Sequence, residues 1–249
     1  SNIATFSSNV LVSAGARFEA AESSPTLVFN GVLTNRGVMK LVSRNNIADL
    51  RGAGRVENEG ILEFFADPFN PGGGSEASLR IPLHVAAGGK IFLNNGLLNC
   101  TAGSSLDLEG ELEITPGGRV RLDASSPGRD VVVRNGGAIG GGGLLLLESG
   151  NRLFSPGALV VGVPLEINGS MVEAGSIAVA GGSTVTATTA TFLGPLTLLD
   201  GSLFRLKSNI ATFSSNVLVS AGARFEAAES SPTLVFNGVL TNRGVMKLV

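Results

Sequence analysis

The sequence predicts an all-β protein, a parallel β-helix (β-solenoid) with three short strands per coil and coils of about 20–23 residues. Three observations predict it. Glycines recur at sevens, at Gly89, Gly96, Gly103, Gly110 and Gly117, and Gly162, Gly169, Gly175 and Gly182 continue at six to seven. Between them apolar residues alternate with polar ones. Leu106, Leu108, Leu112, Ile114, Val120 and Leu122 share one side of the chain, and Asp107, Glu109, Glu111, Glu113, Arg119 and Arg121 share the other. That is the period of a strand with one buried face. A helix would lose roughly 1 kcal/mol at each of those glycines. Finally, the stretch Gly31 to Leu41 is echoed by Gly54 to Phe64, and the offset between the two sets the length of one coil. An array of β-sandwiches is the alternative, but it calls for longer strands and a different turn spacing.

The elements follow in chain order. Ser1 to Val42 recur without a change as Ser208 to Val249, an offset of 207 residues. The chain therefore reads as one continuous solenoid over 1–249, with one repeat unit at 1–207 and the start of the next identical unit at 208–249. Residues 208–249 are expected to repeat the conformation of 1–42. The interval from Gly60 to Gly89 is longer than a coil needs. The excess falls at Ala66 to Ser75, where two prolines and three glycines exclude an interior strand. Asp67, Pro68, Phe69, Asn70 and Pro71 form the candidate lateral contact loop. Phe69, stiffened by the prolines around it, either folds back on the coil wall or docks on a neighbouring rod at small entropic cost.

Next along the chain, alternation turns Ile81, Leu83 and Val85 inward and His84 outward to solvent. Leu98 and Cys100 share a parity that points both into the core. The run Asn135 to Gly143 lacks the Gly-Lys-Ser/Thr and the helix of a phosphate cradle and reads as a tight corner. Thr184 to Thr191 carries threonines at strand spacing, but one such stretch does not make the multi-coil plane of an ice-binding surface.

The paired stretches Leu-x-Asn-x-Gly-x-Met-x-Leu around Gly37 and Val-x-Asn-x-Gly-x-Leu-x-Phe around Gly60 resemble the parallel β-helical repeats of bacterial autotransporter passengers and giant surface adhesins. The resemblance implies the fold. No functional residue of such proteins has a counterpart here.

Composition narrows the function. Charged residues are 15% of the chain and the net charge is −2, with no Lys/Arg cluster, no Trp and no Tyr, which argues against nucleic acid as a partner. The longest apolar runs, such as Leu144 to Leu147 or Ala158 to Val161, are far below the ~20 residues that cross a bilayer as a helix. A single Cys leaves no disulfide framework, and with a single His the inventory for nucleophile-base chemistry is thin. The row Asp107, Glu109, Glu111 and Glu113 with Arg119 and Arg121 is the one arrangement that a polysaccharide-degrading or polysaccharide-binding β-helix would use. As solvent-facing residues they read equally as charges pairing across neighbouring strands. The expectation is a non-enzymatic structural or adhesive repeat protein, without cofactor or metal, located outside the cell or on its surface. Its partners would be copies of itself, end to end and side by side, with a surface or polysaccharide target left unspecified.

Overall fold

The structure is a computed structural model that describes residues 2–21, 24–43, 47–66, 76–123, 128–227 and 232–248. Among these residues there is no helix, and every strand pairing is parallel, so the chain is a parallel β-solenoid. The period-two pattern explains why. Each four- or five-residue strand has one apolar side to bury, and the next coil supplies a backbone edge to pair with it.

Three faces form a triangular stack. Face 1 begins with strand Asn2–Phe6 and returns at Pro25–Phe29, Ile47–Arg51, Glu76–Arg80, Gly96–Cys100, Gly118–Leu122 and Leu144–Glu148. It continues through the first part of Leu165–Val179, the first part of Thr184–Leu193, then Leu203–Leu206, Arg224–Ala227 and Val245–Leu248. Face 2 starts at Val10–Val12 and includes Val32–Asn35, Arg55–Asn58, Pro82–Val85, Ser105–Leu108 and Asp130–Val133. Face 3 starts at Arg17–Ala20 and includes Val38–Ser43, Ile61–Ala66, Lys90–Asn94, Glu111–Ile114 and Ala138–Gly141. Successive face 1 strands are closest in sequence from Thr184 to Leu203 and farthest apart from Ile47 to Glu76, so coil length varies more than the expected range.

The inward rows form one continuous core. Leu98, Cys100, Leu106, Leu108, Leu112, Ile114, Val120 and Leu122 are all at most 3% exposed. Burying each leucine there contributes roughly 1.5–3 kcal/mol. The opposite row points outward, with Arg119 and Glu111 exposed and Asp107, Glu109, Glu113 and Arg121 half-buried. Core and surface thus follow the parity read from the sequence.

The seven-residue glycine rhythm marks the corners, for two different reasons. Gly96, Gly103 and Gly117 have positive φ of 76°, 89° and 89°, a conformation that residues with a Cβ rarely adopt. Gly110 has no such φ. A Cβ there would sit 2.2 Å from the carbonyl oxygen of Gly89 on the coil below, so stacked corners demand glycine by proximity alone. The Asn135 to Gly143 run is only partly a corner, because Ala138–Gly141 forms a face 3 strand on Glu111–Ile114. Stacking on a formed neighbour overrides the weak strand preference of its glycines.

Corners are also closed by buried amides. Asn35 and Asn58 lie in register, both fully buried, with Asn35 Nδ2 donating to Asn58 Oδ1 at 2.7 Å and to the Ile61 carbonyl at 2.9 Å. Asn58 donates in turn to the Lys90 carbonyl at 3.0 Å. Asn151 donates to the carbonyls of Leu122, Asp123 and Glu148 and accepts from the Arg129 backbone N–H. Backbone groups turned inward at a corner need such partners.

Candidate functional site

The charged rows are the first place where chemistry would sit. Strand pairing brings Glu57, His84 and Asp107 into one file on face 2. His84 points outward but is not simply solvated, because Nδ1 lies 2.7 Å from Glu57 Oε2 and Nε2 lies 3.9 Å from Glu109 Oε1. Asp107 takes both arms of Arg134 at 2.7 Å each. On face 3, Lys90 is held between Glu113 and Glu111, the latter at 3.4 Å. On face 1, Arg121 reaches Glu148 at 2.8 Å, and on face 2 Arg152 joins Asp130 at 2.6 Å and Glu173 at 2.9 Å. These contacts join residues on successive coils, 21 to 27 positions apart. The acidic row from Asp107 to Glu113 is thereby divided between two faces and engaged with cations on adjacent coils. It does not converge on a common point. Among the described residues, no group of three His, Cys, Asp or Glu side chains is placed to hold a metal ion.

Cys100 lies in the core as its parity indicates, and burial pushes its thiol up to about 12 despite nearby Arg129. The reactive species is the thiolate, so the group is shielded by both access and charge. Cys100 is expected to resist alkylation in the native protein and to react fully only in denaturant. Rapid stoichiometric labelling of the folded protein would contradict this.

The threonine stretch does not make a plane. Strand Thr184–Leu193 turns a corner, so Thr186 lies on face 1 between Glu166 and Arg205, while Thr191 lies on face 2 between Met171 and Thr212. Asp67, Pro68, Phe69, Asn70 and Pro71 fall outside the described residues.

The most informative surface is the junction between the first unit and the second copy of its opening segment. Inside each copy the register is the same: Phe6 pairs with Phe29 as Phe213 pairs with Phe236, and Val10 with Leu33 as Val217 with Leu240. Local bonds repeat too. The Ala16 N–H donates to the Ser13 carbonyl at 2.9 Å and Ala223 to Ser220 at 3.0 Å. Gly15 and Gly222 share φ values of 78° and 77°.

The placement differs. Nine full turns bring the chain from Asn2–Phe6 back to face 1 at Leu203–Leu206, and Ile210–Phe213, the counterpart of that first strand, lies on face 2. The second copy is turned by one face.

No protein-family model, no curated protein and no solved structure matches this chain.

The coil before the junction covers the inward row of the first coil of the second copy. Phe192 stacks on Phe213 with centroids 5.2 Å apart, and Phe204 on Phe225 at 4.7 Å. Ala211, Phe213, Val217 and Phe225 are at most 1% exposed, whereas the same residues in the first copy, Ala4, Phe6, Val10 and Phe18, are half-buried or exposed. The sequence displays the duplication openly, but which face receives it depends on a strand count that corners without clear breaks conceal.

Proposed function

We propose that this chain is a non-enzymatic structural or adhesive element of the cell exterior, a rigid rod that lengthens by stacking 207-residue units. The observation that carries the reading is the junction at residues 190–227. There the parallel ladder, the apolar core and the phenylalanine stack run from one unit into the next without interruption. Each coil touches only its neighbours in such a stack, so length grows with copy number at constant cross-section. Engagement of the acidic row in contacts between coils favours this reading over a carbohydrate-processing face.

The test is a longer polypeptide in which residues 43–249 are appended once more after Val249. Electron microscopy is expected to show a straight rod lengthened by about 45 Å, nine turns and a third at the ~4.8 Å strand spacing. Particles that bend at each junction, or fail to lengthen, would remove the rod. Labelling of intact source cells with a membrane-impermeant amine reagent tests the location, and protection until lysis would place the protein elsewhere. In this reading the segment Asp67 to Pro71 makes the sideways contacts. Replacing residues 67–74 with a short Gly-Ser turn is expected to abolish bundling and leave single rods, and unchanged bundles would take the segment out of the mechanism.

A further inference from the structure

Resting on the adhesive side of the reading above, we propose that the corner between faces 1 and 2 at residues 146–207 binds an acidic sugar, a uronate unit of a saccharide chain. The site begins with an irregularity in the ladder. Strands Leu165–Val179 and Thr184–Leu193 pair residue by residue as far as Ile167 and Ala187, after which Asn168 pairs with Thr189 and Ser170 with Ala190. Thr188 is therefore an extra residue on one strand, and Gly169, at a φ of 72°, is an extra residue on the other. A bulge bends its strand and re-aims the side chains beside it. Here it adjoins a cleft of about 220 Å³ whose walls include Leu146, Glu166, Asn168, Thr186, Thr188 and Lys207.

The polar groups of this cleft are unengaged. Among the described residues, the side chains of Glu166, Asn168, Thr186, Thr188 and Lys207 have no hydrogen bond or ion pair within the chain. Charged neighbours are held: Glu148, at the edge of the cleft, by Arg121 at 2.8 Å, and Arg205 by Glu226 at 3.0 Å. Glu166 lies in register with Thr186, and Lys207 donates its backbone N–H to the Ala187 carbonyl, next to Thr188. The free carboxylate and the free ammonium thus stand on coils two steps apart, roughly 9–10 Å at the strand spacing, with two hydroxyls between them.

A ligand for this arrangement supplies an acceptor at one end, donors at the other and hydroxyls in the middle. A uronate does all three. Its carboxylate pairs with Lys207 in a charge-assisted bond. Its ring hydroxyls donate to Glu166 and exchange hydrogen bonds with Thr186, Thr188 and Asn168. The C–H edge of the ring rests on half-buried Leu146. An α-amino acid carries both charges on one carbon, too close together for coils two apart, and a neutral or amino sugar gives Lys207 no anion. Beyond the bulge a second cleft of about 250 Å³, lined in part by Gly169, Met171, Thr189 and Thr191, receives the adjoining sugar.

Isothermal titration of the 249-residue protein with trigalacturonic acid is expected to show saturable one-to-one binding that weakens as salt is added. Lys207→Met and Glu166→Gln are each expected to weaken it about tenfold or more. Arg243→Gln, which removes an exposed cation away from the cleft, is expected to leave it unchanged. Unchanged far-ultraviolet circular dichroism verifies the fold of each variant. Maltotriose and the glucosamine trimer, neutral and cationic counterparts of the probe, are expected to bind about tenfold more weakly or less. No binding of trigalacturonic acid, equal binding of either counterpart, full affinity in Lys207→Met or Glu166→Gln, or an equal loss in Arg243→Gln would overturn the site. The lengthened polypeptide separates this from the rod reading. If it lengthens while trigalacturonic acid does not bind, the site fails and the rod stands; if the sugar binds as expected and the polypeptide does not lengthen, the site stands and the rod fails.

Discussion

Leu108→Asp is expected to destabilise the centre of the solenoid by at least about 4 kcal/mol, the cost of an unpaired charge in a packed interior. Leu108 is fully buried on face 2, stacked between Val85 on the coil before and Val133 on the coil after. A carboxylate there would sit in the apolar core, flanked in register by Val85 and Val133. Asp107→Leu, one residue away, is the control. It removes the partner of Arg134 at an outward position and is expected to change stability little. Hydrogen exchange reads the difference locally, as loss of amide protection from residues 82 to 133 in the first variant and retention in the second. A Leu108→Asp protein as stable as its parent would mean that the coil register is off by one residue, since such a slip inverts a whole strand.

Phe213→Ala and Phe6→Ala are expected to differ severalfold in cost although they alter the same residue of the same 42-residue segment. Phe213 lies between Phe192 at 5.2 Å and Phe236 at 5.0 Å, with Phe204 at 5.5 Å beside it. Its removal leaves a closed cavity and is expected to cost about 3–5 kcal/mol. Phe6 stacks on Phe29 at 4.8 Å and meets Phe18 edge-on at 6.3 Å, and among the described residues no further ring packs against it. A half-buried ring at an open edge leaves no closed cavity, so about 1 kcal/mol is expected from the transfer contribution alone. Amide exchange at each site, measured on dilute protein, separates the two. Equal costs would show that the first coil is covered as thoroughly as its copy.

Parity between corners was enough to assign Leu98, Leu106, Leu112 and Val120 to the core, because a strand buried on one side must alternate and a one-residue error would expose every apolar group. The glycine rhythm located the corners, although the reason at Gly110 is the carbonyl of Gly89 on the coil below, a contact that sequence does not display. The buried amides were less legible. Asn35 shares the parity of Leu33, yet its polarity argues for solvent until the Asn58 side chain and the Ile61 carbonyl are seen to receive its protons. His84 was correctly turned outward, but its contact with Glu57 required the knowledge that residues 27 apart are neighbours.

The face occupied by the second copy was decided by tertiary structure alone. Strand Leu165–Val179 passes through all three faces, bending at register shifts near Asn168 and again beyond Ala174, so the sequence offers no clear count of its corners. Sequence by itself determined the fold, the inward row and the identity of the two copies, since each depends on the local alternation of a few residues. Stacking determined the third of a turn between the copies and the burial that distinguishes Phe213 from Phe6. A strand has the same local conformation on any face, and only the coil beneath it establishes where it lies.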